Sequence, residues 1–133
     1  MEENEIRKII DDAVSATILG LQTSGVLRDK TKTATEKTEE LLRQYKALQA
    51  ADQPYARTIV DEIDNCFAAL RTDPYIDVIR LYYIDGLTNA AVAREMYCSE
   101  RTVRRNRKKL VREFAARLMA DDFTREITGE EDE

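Results

Sequence analysis

Residues 86–110 read GLTNAAVAREMYCSERTVRRNRKKL, and this stretch decides the fold. Thr88 is placed to cap a short helix over 89–96, because a threonine side chain accepts a hydrogen bond from the free backbone N–H groups of a first helical turn. Ser99 is placed to cap a longer helix over about 100–119 in the same way. A short helix, a turn of about three residues and a longer helix together predict a helix-turn-helix.

Both helices have an apolar side at helical spacing. On the first helix it is formed by Val92, Ala93 and Met96, and the small Ala93 lets the two helices approach closely. Counting about 100° per residue, three further apolar residues of the second helix fall within about 60° of Val103. They are Leu110, Phe114 and Leu118. We therefore predict that the two apolar sides form the core of the motif.

The second helix carries a charge that the total for the chain hides. The chain has 133 residues and a net charge of −5, which argues against a polyanion as partner. Yet Lys and Arg occupy seven of the positions in residues 101–112, which contain no acid, whereas residues 121–133 are strongly acidic. Because salt screens charges beyond about 8–10 Å, the local excess governs attraction. Crowded like charges favour a polyanion partner over a merely solvated face.

The same angular count sorts the basic residues of the second helix by face. Four of them fall opposite the apolar side, at about 140–200° from Val103. These four are Arg101, Arg105, Lys108 and Arg112, and Arg104 and Lys109 flank them. Arg107 lies near the apolar side, so we expect it to extend along the surface or to form an internal pair rather than to contact DNA.

A helix of this kind fits the major groove of DNA with its N-terminal half nearest the base edges. The residues expected near the bases are Ser99, Glu100, Arg101, Arg104 and Arg105. Arginine has the bidentate geometry for guanine, and glutamate can accept from cytosine. The residues expected at phosphates are Thr102, Lys108, Lys109 and Arg112. For each individual arginine, a backbone contact or no contact is the alternative.

The rest of the chain predicts further helices, because no stretch sustains the alternation of a strand. The fold class is therefore all-α, a helical bundle with the helix-turn-helix in its C-terminal part. The expected helices are 3–22, 34–50, 54–71 and 74–85, with Ser24-Gly25 and Asp85-Gly86 as stop signals. The expected organisation is an N-terminal amphipathic helix (1–25), a linker (26–33), a helical hairpin (34–72), the DNA-binding domain (73–120) and an acidic, disordered tail (121–133).

Composition argues against most catalytic and metal-binding chemistry. The chain has no histidine, which is the usual general base and the commonest zinc ligand. Cys66 and Cys98 match no metal spacing and are expected as reduced core thiols, with a disulfide as the alternative. We therefore expect a protein that is not an enzyme and needs no cofactor. No apolar run approaches the length of about 18 residues that indicates a membrane span, so we expect an intracellular protein without a membrane partner.

Two overlapping stretches of the chain resemble known protein families. The stretch DPYIDVIRLYYIDGLTNAAVAREMYCSERTVRRNRKKL, residues 73–110, resembles the region-four DNA-binding domain of bacterial sigma factors. Over about residues 33–120 the chain is similar to the ArpU-type regulators of bacteriophages and prophages, relatives of the RinA-type late activators. The shared features are KTEELLRQYKAL, DPY..VI.LYY.DG.T and TVRRNRKKLV.

This resemblance implies a transcriptional regulator of phage late genes that works in the cytoplasm of a bacterial host. Its partner would be double-stranded DNA, with RNA polymerase as a second candidate. In the sigma-like pattern the base-reading positions fall on the first turns of the second helix, which are Arg101, Arg104 and Arg105 here.

Tyr97 departs from the pattern, because many helix-turn-helix sequences have glycine at this place in the turn. Glycine serves there since the backbone often needs a positive φ. A tyrosine in that conformation is strained, so we expect either a turn of another shape or a ring packed against the first helices.

Two other functions use the same features. A small DNA-recognition subunit of a phage packaging machine also has a helix-turn-helix but forms rings, whereas a regulator is expected as a monomer or dimer. A protein that binds RNA polymerase or a sigma factor without contacting DNA would use the acidic ends, with residues 121–133 either masking the basic helix or docking on a basic partner. The N-terminal helix has two uses as well, because one apolar stripe cannot be buried alone. It packs on residues 34–85 or pairs with a second copy in a homodimer.

Overall fold

A computed structural model describes Ile6 and residues 18–128. Within these residues every regular element is helical and no strand is present, which confirms the all-α prediction. The elements in chain order are α1 (Ile18–Arg28), α2 (Ala34–Arg43), α3 (Tyr45–Ala50), α4 (Pro54–Ala69), α5 (Asp77–Ile79), a π-helical turn (Arg80–Ile84), α6 (Asn89–Met96), α7 (Glu100–Leu118) and α8 (Ala120–Thr128). In this part of the chain, none of the helices combines the length and the apolar character that crossing a bilayer requires.

The second and third predicted helices begin where the sequence indicates. Thr33 starts α2 with a capping box, in which its hydroxyl accepts from the Glu36 N–H and the Glu36 carboxylate accepts from the Thr33 N–H. The predicted second helix is interrupted at Gln44, whose side-chain oxygen accepts a hydrogen bond from the Thr23 hydroxyl at 2.8 Å. α4 starts at Pro54, because proline is tolerated in a first helical turn.

The Ser24-Gly25 pair does not end the first helix, so the predicted stop and the linker predicted to start at 26 are wrong. α1 continues to Arg28, and only residues 29–33 connect it to α2. Leu27 is buried in the core, and burying a leucine is worth about 1.5–3 kcal/mol. This gain exceeds the cost of about 1 kcal/mol for a glycine inside a helix, so the helix runs on.

The fourth predicted helix is α-helical for three residues only. Turns precede α5, and the π-helical turn follows it, with the Asp85 N–H donating to the Arg80 carbonyl five residues back at 2.9 Å. Within this π-helical turn the rings of Tyr82 and Tyr83 pack edge to face, with centroids 4.9 Å apart. The element ends before Gly86, which has a φ of +74° and confirms this stop signal.

The buried side chains form two clusters. The main cluster unites residues from α2, α4, α7 and the π-helical turn, and Phe67 of α4 packs edge-on against Phe114 of α7 with centroids 5.0 Å apart. Ile6, the one described residue of the predicted N-terminal stripe before residue 18, is buried in this cluster. The smaller cluster lies in the helix-turn-helix and contains Val78, Val92, Ala93 and Val103. The remaining positions of the predicted N-terminal helix lie outside the described residues.

The cysteines agree with the prediction of reduced thiols. Cys66 is buried in the main cluster, Cys98 is half-buried beside the smaller one, and both thiols are free.

The acidic segment after α7 is folded, so the predicted disorder is wrong for residues 121–128. Asp122 accepts a hydrogen bond from the Lys37 ammonium at 2.7 Å, and both side chains are buried. Glu126 accepts from the backbone N–H of Thr35 at 3.0 Å and from its hydroxyl at 2.7 Å. The carboxylates thus dock α8 on α2, while Phe123 packs against the main cluster. Residues 129–133 lie outside the described residues.

Candidate nucleic-acid interface

The two helices of the predicted motif are capped as the sequence indicates. The Thr88 hydroxyl accepts a hydrogen bond from the Ala91 N–H at 3.1 Å, and the Ser99 hydroxyl accepts from the Thr102 N–H at 3.1 Å. Each cap satisfies one backbone donor that the first helical turn leaves without a partner. The caps fix where α6 and α7 begin and therefore which residues occupy the first turns of α7.

Tyr97 contradicts both expectations for the turn. Its backbone adopts the left-handed conformation, with φ +53° and ψ +46°, so the turn keeps the shape that glycine usually provides. Its ring does not pack against other helices, since the residue is 96% exposed. The turn is closed by a hydrogen bond from the Cys98 N–H to the Ala93 carbonyl at 3.0 Å, the arrangement of a Schellman motif. The helix-turn-helix geometry therefore survives without the glycine.

The predicted basic face of α7 is open to solvent along its length. Six cationic side chains are exposed, namely Arg101, Arg104, Arg105, Lys108, Lys109 and Arg112. The opposite side is buried and holds the four predicted residues Val103, Leu110, Phe114 and Leu118, together with Val111 and Ala115. This division confirms the angular count, and it leaves one long positive surface.

Arg107 is the basic residue that the structure removes from this surface. Its guanidinium lies 4.2 Å from the centroid of the Tyr82 ring and donates to the Tyr83 hydroxyl at 3.3 Å. The same group lies 3.9 Å from the carboxylate of Glu39, with both side chains mostly buried. Arg107 therefore forms an internal pair, as predicted, and ties α7 to α2 and to the π-helical turn.

The Tyr83 hydroxyl is the centre of this internal group. It donates to Glu39 at 2.6 Å while it accepts from Arg107. Burial and the neighbouring Glu39 carboxylate raise the pKa of Tyr83 well above its ordinary value of 10. The phenol therefore stays neutral and holds its two charged neighbours in place.

Five of the predicted contact residues already have partners inside the protein. The Ser99 hydroxyl donates to Thr102 Oγ1 at 2.9 Å in addition to its capping role. Glu100 forms an exposed ion pair with Arg104 at 3.7 Å. Arg112 lies 3.4 Å from the Glu126 carboxylate of α8.

The remaining predicted cations of the face are Arg101, Arg105, Lys108 and Lys109. They form no ion pair with any residue that the structure describes. These four side chains are therefore the ones that can turn to phosphates or bases without first leaving an internal partner.

Sequence reasoning missed two residues of this region. Arg94 of α6 is exposed three residues before Tyr97, and the two lie beside an open groove next to the first turn of α7. The i, i+3 spacing of a cation and an aromatic residue was the available signal. Glu126 was missed because its place opposite Arg112 depends on the docking of α8, which local sequence does not show.

The chemistry available at this surface is that of binding. Among the described residues, no three Cys, Asp or Glu side chains are grouped as a metal site would require. Arginine and lysine side chains offer donors and positive charge, which suit phosphate oxygens and guanine edges.

Comparison with known proteins places this geometry in a family. The family model described as ECF sigma factor matches residues 23–121, which include α2 to α7 and most of α1. No curated protein and no solved structure matches the chain.

Proposed function

We propose that this chain, which belongs to the ECF sigma factor family, is a sequence-specific regulator of phage or prophage late genes. Membership of the family gives the coarser function, which is DNA binding in transcription. The phage role rests on the similarity of residues 33–120 to ArpU-type regulators, carried by the KTEELLRQYKAL and TVRRNRKKLV stretches.

The observation that carries the proposal is the one-sided charge of α7. Its exposed face holds six basic side chains, while Arg107, the seventh, is turned inward. A solvated helix without a ligand needs no such separation, and the like charges on this face repel one another, four of them without an ion pair to any described residue. A duplex with its phosphates on either side of the major groove supplies the compensating charge.

In the proposed complex α7 lies in the major groove with its first turns at the bases. Ser99, Glu100, Arg101, Arg104 and Arg105 face the base edges, and Arg101 and Arg105 are the strongest candidates because neither has an ion pair in the described part of the chain. Thr102, Lys108, Lys109 and Arg112 face phosphates on either side of the groove. Arg112 exchanges its contact with Glu126 for a phosphate oxygen, a trade between two exposed charged partners.

The test is a titration of DNA selected from a random pool. We expect Arg105→Ala to lose discrimination between the selected site and unrelated DNA, by about 1–3 kcal/mol for one bidentate contact. Lys108→Ala should instead weaken binding to every sequence alike, because a phosphate contact carries no base information.

Arg117→Ala is the matched control. Arg117 belongs to the same helix, and its substitution removes the same charge. It lies outside the proposed contact surface and forms an ion pair with Glu113 at 3.1 Å. It should leave discrimination unchanged. If joint removal of Arg101, Arg104 and Arg105 leaves affinity for the selected site unaltered, the proposed function is wrong.

A further inference from the structure

Tyr97 combines a left-handed backbone with the most exposed large hydrophobic side chain in the described part of the protein. Its φ of +53° is one that non-glycine residues adopt at a cost, and its ring is 96% exposed. It forms no hydrogen bond or ring contact with a described side chain. The fold therefore gains nothing from this ring, although glycine would relieve the backbone strain.

The surroundings of Tyr97 form an open groove at the start of α7. Its walls are Ala90, Ala93 and Arg94 of α6, Cys98 of the turn and Glu100 of α7. Ala90 adds only a methyl group to this wall, whereas Ala93 is buried in the smaller cluster. Arg94 lies one turn before Tyr97 and is exposed, so a cation and a phenol border one groove.

The position of this groove links it to the DNA surface. Glu100, a wall of the groove, is also one of the residues proposed to face the bases. In helix-turn-helix proteins the helix before the recognition helix crosses the sugar-phosphate backbone. A duplex seated on the first turn of α7 would therefore run its backbone along the groove.

We propose that Tyr97 and Arg94 form a second DNA contact, which grips the sugar-phosphate backbone next to the groove that α7 enters. The phenol donates its O–H to a phosphate oxygen, the Arg94 guanidinium pairs with a phosphate through two N–H donors, and the short Ala90 side chain leaves room for the sugar edge. This inference rests on the proposed function, because it places the duplex on the same end of α7.

Chemistry favours DNA over a protein as the occupant of the groove. The groove is open, Arg94 is among its lining residues, and its α7 wall is Glu100, the residue directly before Arg101 in the chain. Its one acid, Glu100, is already paired with Arg104. A polyanion at this end of α7 therefore meets Arg94 on one side and the exposed cations of α7 on the other.

The decisive variant is Tyr97→Gly, because it separates a contact from a structural role. Glycine relieves the left-handed backbone, so the thermal midpoint should rise. DNA affinity should nevertheless fall, by about 3–10-fold on the selected site and on unrelated DNA alike, since backbone contacts are independent of sequence. Tyr97→Phe, which keeps the ring and removes the O–H donor, should show part of this loss.

Arg94→Gln is the second variant and should lower affinity for both DNAs and flatten the dependence on salt. Tyr97→Asn tests the same contact should glycine loosen the turn, because asparagine tolerates the left-handed conformation. Affinity equal to that of the unchanged protein in Tyr97→Gly and Tyr97→Asn would overturn the inference. A changed preference at one base would also overturn it, since that outcome means base contact.

The same titrations keep the two proposals apart. If the unchanged protein binds DNA and Arg105→Ala loses discrimination while the Tyr97 variants bind normally, only the second contact is wrong. If the unchanged protein binds no DNA at all, the proposed function itself fails.

Discussion

At the scale of single residues, two glycines have opposite backbone roles. Gly25 lies inside α1 with no atom near the position of an added Cβ, whereas Gly86 has a φ of +74° that side chains rarely adopt. We expect Gly25→Ala to raise the free energy of unfolding by about 0.5–1 kcal/mol, because alanine favours a helix interior. Gly86→Ala should lower it by about 1–2 kcal/mol. Urea unfolding of both variants checks this, and a destabilised Gly25→Ala would contradict the continuous α1.

The Cys66 thiol should make stability depend on pH in alkaline solution. Burial raises the pKa of Cys66 from 9.0 to about 12. The unfolded chain therefore releases this proton near pH 9, while the folded protein keeps it, and the folded state binds more protons between the two values. The free energy of unfolding consequently falls as pH rises through this window, by up to about 1.4 kcal/mol per pH unit.

Cys66→Ala provides the comparison for this slope. Its stability at pH 7 should be lower because the core loses a side chain, but its decline between pH 8.5 and 10.5 should be shallower than that of the unchanged protein. Urea midpoints across this range measure both slopes. Parallel slopes would mean that the thiol ionises equally in both states.

At the scale of elements, α8 depends on a buried ion pair. Lys37 of α2 and Asp122 of α8 are 5% and 7% exposed in their side chains and lie 2.7 Å apart. We expect Lys37→Met to cost about 3–5 kcal/mol, because it leaves a carboxylate in a buried site without this cation. Adding Asp122→Leu should recover most of the loss, since both charges are then gone.

Arg57→Met is the control for a surface pair. Arg57 and Asp52 lie 3.2 Å apart with side chains 63% and 85% exposed, so breaking their contact should cost less than about 1 kcal/mol. Chemical unfolding of the variants in one buffer gives the comparison. A double variant no more stable than Lys37→Met alone would exclude the pair as the reason that α8 docks.

α8 and the π-helical turn are the elements that the sequence did not predict. The caps at Thr88 and Ser99 act within three residues, so the sequence alone located the starts of α6 and α7. The helical period alone predicted that Arg107 lies on the inner side of α7. The docking of Asp122 depends on Lys37, a residue far away in the chain, and acid-rich composition pointed to disorder instead. Long-range partners of this kind leave no local pattern.

The exposed basic face of α7 was predictable to a similar extent. This face follows from spacing within one helix, whereas the pairing of Arg112 with Glu126 requires α8 in place. The exposure of Tyr97 was not predictable, because a strained residue is expected to be compensated by packing. Local rules thus located the surface, and tertiary contacts determined which of its residues are already engaged.

At the scale of the whole molecule, the acidic total and the basic helix act together. The net charge of −5 disfavours adhesion of the rest of the surface to DNA, so in the proposed complex we expect only the basic face of α7 to bind. The dependence of affinity on salt then counts the phosphate contacts of that face, because each neutralised phosphate contributes about −0.9 to the slope of log K against log salt. Lys108, Lys109, Arg112 and Arg94 give an expected slope of about −3 to −4 for one copy.

The slope becomes decisive when it is combined with the mass of the protein in solution. A monomeric regulator of 15.3 kDa should show the single-copy slope, and a dimer on two half-sites should show twice that value. Lys108→Ala should reduce the slope by about one per bound copy, whereas Arg57→Ala, which breaks the exposed pair with Asp52 and lies outside the proposed contact residues, should leave it unchanged. Light scattering on the free protein and salt titrations of the complex give both numbers. A mass many times 15.3 kDa would favour the ring-forming packaging subunit. In a regulator, further copies of the chain that contact no half-site would add nothing to the discrimination between DNA sequences.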